Sequence, residues 1–459
     1  MTGGNGPDVR YVSGIAVLED PNHLAGDATH SEIANHYIRR MTAASGERPV
    51  YELGALHTYE RDSGLWCPQG IDQLAAAVGA CYTDQKLCRK HSDYRQTAQL
   101  IATMTVSEDC FHGAPGGVAA DGIFYQVADD GEIRAEPLCA DHRQRMTMAI
   151  APEFEARAPL FEMLLDNAFG PGDAGDAQRE LLQMGMGAAL CGLLWRLRTV
   201  LMLFGPTSTG KSTLLEILKS FFPGDRVGSV NPQSWGNEYH AAALSGLALN
   251  LVGELDPTTP IPGGIFKSVT GCDPIGARHP THRPFSFVCM AGHIFNCNRL
   301  PPTRDKSPAF FRRWRILEFT SSIAPDKEII GLAERIIREE QAAVLGWLLE
   351  GAARAVKAGH LPDTENHRRL IEYWRAANNS ALQFVLDHEY VELAKGQHSM
   401  PAQEVFGAYR KWASDVGLKP LGRNAFYEAL IEGGRHGVTL SEDRNGVKVV
   451  TGLSLRVVA

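Results

Sequence analysis

The sequence has no apolar segment long enough to cross a lipid bilayer without interruption. The best candidate, GMGAALCGLLWRLRTVLMLFG at residues 185–205, is interrupted by Arg196 and Arg198, and a membrane-spanning helix needs about 20 mostly apolar residues. The first residues, MTGGNGPDVRYVSG, lack the basic and apolar regions of a secretory signal peptide. We therefore expect a cytoplasmic protein with no membrane partner.

The chain also lacks a cysteine framework. Its nine cysteines in 459 residues are an odd number and include no paired C-x-x-C motif, so neither a set of disulfides nor a zinc array is indicated. Three irregularly spaced cysteine–histidine pairs invite a zinc interpretation: Cys88/His91, Cys110/His112 and Cys139/His142. We expect reduced, mostly packed thiols instead.

Excess positive charge is absent as well. The 45 Lys and Arg residues are outnumbered by 53 Asp and Glu, which gives a formal net charge of −8. This balance argues against indiscriminate coating of nucleic acid, but it leaves room for a local basic patch. A length of 459 residues with 44% apolar residues is typical of a globular protein of about three domains.

One motif of the chain predicts nucleotide binding. The stretch LMLFGPTSTGKSTLLEILKSFF at residues 201–222 reads as a buried strand, a glycine-bounded turn and an amphipathic helix. Its G-x-x-x-x-G-K-S spacing lets backbone N–H groups surround a triphosphate at a helix N-terminus, with the lysine on the β/γ oxygens and the serine on Mg²⁺. We therefore expect ATP and Mg²⁺ to bind at Gly205, Pro206, Thr207, Ser208, Thr209, Gly210, Lys211, Ser212 and Thr213.

The pattern of elements predicts an α/β fold with further domains on both sides. Strands and helices alternate after residue 199, which is typical of a parallel sheet with crossover helices. The tail reads as three helices and a hairpin pinned by Asn445-Gly446, which suggests a winged helix with GRNAFYEAL in the recognition position. The predicted divisions are a flexible N-terminus at 1–28, a mixed, mainly helical domain at 29–155, a P-loop ATPase core of AAA+-like type at 156–360, and a winged-helix-like domain at 370–459.

Polar residues that follow later strands are candidates for catalysis. LNLVGELDP places Glu254 at the end of an apolar strand, where a carboxylate can hold Mg²⁺ or polarise the attacking water. Asp256 is a weaker candidate because a proline loop follows it. IFNCNRLPP supplies Asn296 and Asn298, of which we prefer Asn298 to orient the water. Arginines then follow in SPAFFRRWRILEF, where Arg312 and Arg313 are candidates for stabilising the transferred phosphoryl group.

Between these strands lies a predicted hairpin with a cationic tip. The arms of IFKSVTGCDPIGARHPTHRPFSF can pair, and basic side chains at one tip suit contacts with the phosphates of a nucleic-acid strand. The tip carries Arg278, His279, His282 and Arg283.

Taken in order, these motifs resemble the superfamily 3 helicases, in particular the helicase part of phage, plasmid and poxvirus primase-helicases. The resemblance rests on GPTSTGKST, LVGE, the K-x-x-T-G-x-D-P-I-x-A-R run from Lys267 to Arg278, and N-x-x-P followed by R-R-x-x-x-x-x-F. It is strongest from about 115 to 320, and the front and tail of the chain also resemble that family's helicase-preceding and winged-helix domains.

The resemblance implies a ring-forming DNA helicase. Its members assemble as hexameric rings that hydrolyse ATP and translocate on single-stranded DNA. It implies that Lys211 and Ser212 bind phosphate and Mg²⁺, that Glu254 is the second acidic motif, and that Lys267 precedes a DNA-tracking hairpin. It further implies that Asn298 is the sensor and that Arg312 or Arg313 completes the site of the next subunit. Expected partners are single-stranded and forked DNA, further copies of the chain, and a separate primase or polymerase, in host cytoplasm if a phage encodes the chain.

Two departures from the family and two alternatives remain. The residues before the ATP motif show no paired-aspartate polymerase signature, so we predict no primase activity on this chain. Glu254 is followed by Leu255 rather than by a second acid, which leaves the division of roles between metal binding and water activation open. The alternatives are a replication initiator or loader that binds origin DNA through the winged helix, and a protein-remodelling ATPase. No N-K-x-D motif indicates a GTPase.

Overall fold

We describe a computed structural model of the chain. It describes residues 9–12, 15–18, 24, 26–107, 109–280, 284–321, 329–393, 399–432, 437–444 and 446–456. Within these residues the elements form a mixed α/β fold around one five-stranded parallel sheet. No helix among them is long and apolar enough to span a bilayer.

The front part combines three helices with antiparallel strands. The elements are β1 (Val9–Val12), β2 (Ile15–Leu18), α1 (His30–Ser45), β3 (Val50–Glu52), β4 (Ala55–Glu60), β5 (Leu65–Gln69), α2 (Ile71–Cys81), α3 (His91–Met104), β6 (Gly117–Ala120), β7 (Ile123–Val127) and β8 (Ile133–Pro137). Apolar positions at helical spacing bury Tyr37, Leu74 and Ile101 in one cluster. The turn sequences Asp62-Ser63-Gly64 and Asp129-Asp130-Gly131 predict two hairpins, and the antiparallel pairs β4–β5 and β7–β8 confirm them.

The central part carries the parallel sheet and the helices that cover it. Its elements are α4 (Pro159–Phe169), α5 (Asp173–Leu190), β9 (Val200–Phe204), α6 (Lys211–Lys219), β10 (Val227–Gly228), α7 (Glu238–Ala242), β11 (Leu249–Val252), α8 (Gly263–Gly271), β12 (Ile275–Ala277), β13 (Phe285–Phe287), β14 (Gly292–Cys297), α9 (Pro308–Phe311), β15 (Trp314–Glu318), α10 (Leu332–Glu339), α11 (Gln341–Ala358) and α12 (Glu365–Ala377).

In the sheet, β9 lies between β14 and the edge strand β15. The strands run β10-β11-β14-β9-β15 and every neighbouring pair is parallel. Residues Val200 to Leu203 of β9 are fully buried, as expected for a continuous apolar run in a sheet that is covered on both faces. Because parallel strands all end at one edge, whatever follows β9, β11 and β14 is brought to that edge.

Helices α5 and α11 pack against each other at unusually close range. A Cβ at Gly187 would lie 2.0 Å from the Leu348 carbonyl oxygen, and one at Gly351 would lie 2.2 Å from the Gln183 carbonyl oxygen. Both distances are shorter than any van der Waals contact, so only glycine allows the two backbones to approach this closely. This contact anchors the helix that precedes β9.

One predicted strand is wrong in its extent. The apolar run FSFVCMAGHIF predicts a single strand, but the structure divides it into β13, which pairs antiparallel with β12, and β14 of the parallel sheet. Cys289 and Ala291 in the break are still buried, so continuous hydrophobicity hides the interruption. The predicted pairing of the hairpin arms is confirmed by β12 and β13.

Helix α12 is absent from the sequence-based expectations. Thr364 caps it by accepting a hydrogen bond from the His367 N–H at 3.1 Å. Its Trp374 is fully buried, with its ring 5.1 Å from that of Trp314 and 5.5 Å from that of Phe311. The helix therefore packs on β15 and on the residues just before that strand.

The C-terminal part has its own apolar cluster, centred on Phe384, Tyr409 and Phe426. It consists of α13 (Ser380–Leu386), β16 (Val391–Leu393), β17 (Ser399–Pro401), α14 (Ala402–Asp415), α15 (Arg423–Glu432), β18 (Thr439–Glu442), β19 (Lys448–Thr451) and β20 (Leu453–Leu455). The predicted terminal hairpin is confirmed by β18 and β19, although Asn445 of its predicted turn lies outside the described residues. The domain divisions stay predictions.

Candidate nucleotide site

The turn between β9 and α6, residues 205–212, is called the GKS loop below. It begins and ends at glycines with positive φ, +149° at Gly205 and +88° at Gly210. A Cβ at Gly205 would lie 2.1 Å from the Phe319 carbonyl oxygen, and one at Gly210 would lie 2.7 Å from the Leu164 side chain. Glycine is thus required at both positions by backbone conformation and by space.

Lys211 lies at the first position of α6 with only 4% of its surface exposed. Its Nζ donates to the Gly205 carbonyl oxygen at 2.9 Å, to Thr209 Oγ1 at 3.1 Å, and to the Pro206 carbonyl oxygen. Burial lowers the pKa of Lys211, and the nearby Glu254 carboxylate opposes that effect. The ammonium group is therefore held against the loop by the loop's own oxygens.

Glu254 and Asn298 meet beside this lysine. Glu254 follows the end of β11 by two residues, and the Leu255 N–H donates to the Asn296 carbonyl oxygen at 2.9 Å, which extends the pairing with β14 past the strand end. Asn298 Nδ2 lies 3.4 Å from Glu254 Oε1. The structure thus brings together the acid and the asparagine that the sequence analysis selected from separate strands.

These groups surround one cavity of about 390 Å³. That volume is within the range of ~300–1,000 Å³ typical of small-molecule sites. The N-terminus of the nine-residue helix α6 opens into it, which favours a negatively charged ligand. The lining residues are Leu164, Thr207, Ser208, Thr209, Gly210, Lys211, Ser212, Thr213, Gly253, Glu254, Asn296, Asn298, Ile329 and Leu332.

Asn296 is a member of this lining that the sequence analysis ranked second. It is 7% exposed, and its Oδ1 has neither solvent-accessible surface nor a hydrogen-bond partner among the described residues. Asn296 and Asn298 lie two positions apart, so alternation along an extended chain puts both on the same face. This two-residue spacing is the feature of the sequence that indicates a place for Asn296 in the same site as Asn298.

The residues present fit a magnesium ion that is shared with a phosphate ligand. Ser212 and Glu254 are exposed and line the cavity, and Mg²⁺ prefers hydroxyl, carboxylate and phosphate oxygens. Among the described residues, no group of three or more His, Cys, Asp and Glu could hold a metal alone. Asp256 accepts hydrogen bonds from the Thr258 and Thr259 hydroxyls, which lower its pKa to about 2, and it is not part of the cavity lining.

Arg312 and Arg313 lie where the strands of the sheet begin, opposite to the strand ends that carry the GKS loop. The Arg313 carbonyl oxygen accepts from the Val200 N–H at 2.7 Å, so it marks the start of β9, whereas the GKS loop follows its end. Four residue steps of a strand span about 13 Å, further than an arginine side chain reaches. Arg312 is exposed, but the Arg313 guanidinium donates to the Ala309 and Lys267 carbonyl oxygens.

The basic residues predicted to contact DNA have partners within the chain. Arg278 pairs with Glu238 and donates to the Tyr239 hydroxyl at 2.9 Å, and Lys267 Nζ lies 2.7 Å from Asp305 Oδ2. The His279 ring stacks on Phe285 at 5.3 Å. His282 and Arg283 lie outside the described residues.

Comparison with known proteins shows sequence similarity to a family in one segment and similarity of fold over most of the chain. Residues 203–313 match a protein family of unknown function, DUF5906. No curated protein matches the chain. The apo structure of the NrS-1 C-terminal region (305–718) aligns with TM-score 0.50 and 10% identity over 93% of this chain and 99% of that one. The A form of the same region aligns with TM-score 0.49 and 11% identity over 93% and 100%.

Proposed function

We propose that the chain is an ATP-driven DNA helicase of a phage or mobile element, acting as a homo-oligomeric ring. The observation that carries this proposal is the arrangement of Lys211, Glu254 and Asn298 around one cavity, while Arg312 lies at the far edge of the same sheet. Among the described residues that line the cavity there is no arginine, which fits half of a site that a neighbouring subunit completes.

The chain's own residues divide the chemistry among them. Lys211 and the N-terminus of α6 bind the triphosphate and stabilise the charge that develops on the departing phosphates. Asn298 and Glu254, 3.4 Å apart, orient and polarise the water that attacks the γ-phosphate. Ser212 and Glu254 would hold Mg²⁺, which would neutralise charge on the phosphates when bound.

The sheet order supports an AAA+-like core. β14 contains Asn296 and is followed directly by Asn298, and it lies between β9 and β11, which Glu254 follows. The ends of all three strands therefore deliver polar groups to one side of the sheet. The NrS-1 C-terminal region shares this fold over 93% of the chain. α13, α14 and α15 followed by β18 and β19 support a winged helix at the C-terminal end.

The test is DNA-stimulated ATP hydrolysis together with strand displacement on a tailed duplex. The wild-type chain is expected to hydrolyse ATP faster with single-stranded DNA and to displace the strand. Lys211→Ala is expected to abolish both activities. The matched control is Lys219→Ala, which changes an exposed lysine at the other end of α6. An ATPase rate that is indifferent to DNA would sink the helicase proposal, and it would favour protein remodelling if the chain also failed to bind duplex DNA.

A second candidate, a replication initiator or loader, is favoured by one observation. Lys267 and Arg278, on which DNA tracking would depend, are both neutralised by carboxylates of the same chain. In an initiator, DNA binding would fall instead to the C-terminal helices. Stable duplex binding that survives Arg278→Gln, with slow hydrolysis unchanged by single-stranded DNA, would select this alternative.

A further inference from the structure

A second cavity lies between the front part and the central sheet, at the edge where the strands begin. Its volume is about 100 Å³, several times that of a water molecule but well below the ~300 Å³ at which small-molecule sites begin. Four arginines line it, together with Phe111 and Trp195: Arg143, Arg145, Arg196 and Arg226. None of the residues that line it in the described structure is an aspartate or glutamate.

The two inner arginines carry charge that this chain does not neutralise in the cavity. Arg226 is 8% exposed and donates only to carbonyl oxygens, those of Gly246 at 3.3 Å and Arg145 at 3.2 Å, with the Asp225 carboxylate 3.8 Å from its Nε. Arg145 Nη1 has no solvent-accessible surface and no hydrogen-bond partner among the described residues. Such a group is costly unless something pairs with it.

Three of the four guanidinium groups lie over aromatic rings. Arg143 lies 4.9 Å from the centre of the Trp66 ring, Arg145 lies 5.1 Å from that of Phe111, and Arg196 lies 5.4 Å from that of Trp195. A cation–π contact stabilises each of these charges without using an N–H donor. Arg196 also donates to the Ala114 carbonyl oxygen.

The directions of the pKa shifts around the cavity agree with an excess of positive charge. Burial, and then repulsion by Arg226, lowers the pKa of Arg145 to about 10. Burial, followed by the charges of Arg145 and Arg226, lowers the pKa of neighbouring His57 to about 3. The carboxylates of Glu52, Asp129 and Asp225 each offset one arginine, but they lie outside the lining.

We propose that this arginine cavity binds a phosphate group, supplied either by free phosphate or by the backbone of a nucleic acid. The size accepts one tetrahedral oxyanion and excludes a whole nucleotide. Several guanidinium groups converging from different elements match the many acceptor oxygens of phosphate. The site is separate from the GKS loop, which lies at the other edge of the sheet, and does not depend on ATP hydrolysis.

The experiment measures thermal unfolding of the full chain carrying Lys211→Ala, which removes the lysine of the GKS loop. Inorganic phosphate is titrated against sodium chloride of equal ionic strength. We expect phosphate to raise the Tm in a saturable way, because a ligand that binds only the folded state stabilises it. Adding Arg143→Gln and Arg196→Gln is expected to weaken the apparent affinity by tenfold or more, while adding Arg410→Gln, at an exposed position outside the cavity, leaves it unchanged.

These substitutions leave in place the half-buried Arg145 and the buried Arg226, so the variants are expected to fold. No phosphate-dependent shift in the Lys211→Ala chain, or an equal shift with and without the two cavity substitutions, would overturn the proposal. Binding of a labelled oligothymidylate distinguishes the source. Competition with phosphate that is lost in the cavity variant assigns the site to a nucleic-acid backbone, and phosphate binding without competition assigns it to the free ion.

Discussion

At the scale of single residues, two adjacent arginines have different surroundings. Arg313 is half-buried, and its guanidinium donates to the carbonyl oxygens of Ala309 and Lys267, so it ties α9 to α8. Arg312 is exposed at the same edge. Sequence reasoning treated the pair as equivalent because neighbours in a chain share every local signal, and only the fold shows which of the two is engaged.

Arg312→Ala is therefore expected to lower ATP hydrolysis by about 1,000-fold or more, because an arginine finger contributes ~10³–10⁵ to kcat, while leaving nucleotide binding nearly unchanged. Arg313→Ala is expected instead to lower the free energy of unfolding by about 1–3 kcal/mol, because it removes hydrogen bonds to partly buried carbonyl groups. Steady-state hydrolysis, fluorescent nucleotide binding and urea unfolding measure the three quantities. Normal hydrolysis by the Arg312→Ala chain would show that this residue is not the finger.

Asn296, in β14, and Asn298, which directly follows that strand, are also expected to differ in their contributions to catalysis. Asn298 touches Glu254, whereas Asn296 is buried with an unpaired Oδ1 in the cavity lining. Asn298→Ala should lower kcat by about 100-fold with little change in nucleotide affinity, since a water-orienting group acts in the transition state. Asn296→Ala should change nucleotide affinity more than kcat. Equal effects of the two substitutions on kcat would contradict this division.

At the scale of elements, the hairpin of β12 and β13 is tied to α7. Arg278 pairs with Glu238 of that helix and lies 5.4 Å from the centre of the Tyr239 ring. DNA must compete with these partners for the guanidinium group. The pair is exposed, with side-chain exposures of 38% and 43%, so separating it requires little free energy.

Glu238→Gln is accordingly expected to strengthen single-stranded DNA binding by a few-fold and to steepen its dependence on salt, because one more cation becomes available to phosphate. Arg278→Gln should have the opposite effect. Fluorescence anisotropy across a salt series measures both changes. An identical salt slope in the two variants would place the DNA path elsewhere, and Glu404→Gln, an exposed position on α14, serves as the matched control.

The same scale shows what patterns in a sequence can and cannot predict. The GKS loop, its flanking strand and helix, and both front hairpins follow from glycine placement and periodicity. The division of β13 from β14 does not, because the residues between them are as buried as the strands. Helix α12 has features that predict a helix, namely a Thr364 cap and apolar positions at Leu370, Ile371 and Trp374. The polar residues at its start resemble a linker, so the helix is not predicted.

At the scale of the whole molecule, the sites depend on residues that are distant in sequence. The arginine cavity takes Arg143 and Arg145 from the front part and Arg196 and Arg226 from the central part, and no spacing rule connects them. By contrast, the proximity of Glu254 and Asn298 in the candidate nucleotide site could be predicted from the sequence, because neighbouring parallel strands end at the same side of a sheet.

Three buried histidines make the stability of the chain sensitive to acid. Burial lowers the pKa of His57 to about 3, of His293 to about 3 and of His367 to about 4. Because these folded-state values lie below the unfolded value of about 6.5, the unfolded chain binds more protons. The contribution of these histidines to the free energy of unfolding is complete above about pH 6.5 and is lost as the pH falls toward their folded-state pKa values. At pH 5 the loss is about 2 kcal/mol for each histidine.

Urea unfolding at pH 7.5, 6.5 and 5 measures this loss, and His367→Gln should reduce the pH dependence by about a third. His388→Gln, which changes a histidine outside the apolar clusters, should leave it unchanged. Equal free energies of unfolding at pH 6.5 and 5 would show that the three histidines are already charged or exposed in the folded chain.

The placement of Arg312 at the edge opposite to the GKS loop has a consequence for mixed populations of subunits. In the proposed ring, each junction between subunits is an ATP site that needs Lys211 from one chain and Arg312 from its neighbour. A chain with Lys211→Ala inactivates one junction, whereas a chain with both Lys211→Ala and Arg312→Ala inactivates the junctions on both of its sides. Intact junctions then fall linearly with the fraction of single variant but as the square of the wild-type fraction for the double variant. An equal mixture with wild type would keep about one half of its junctions in the first case and about one quarter in the second.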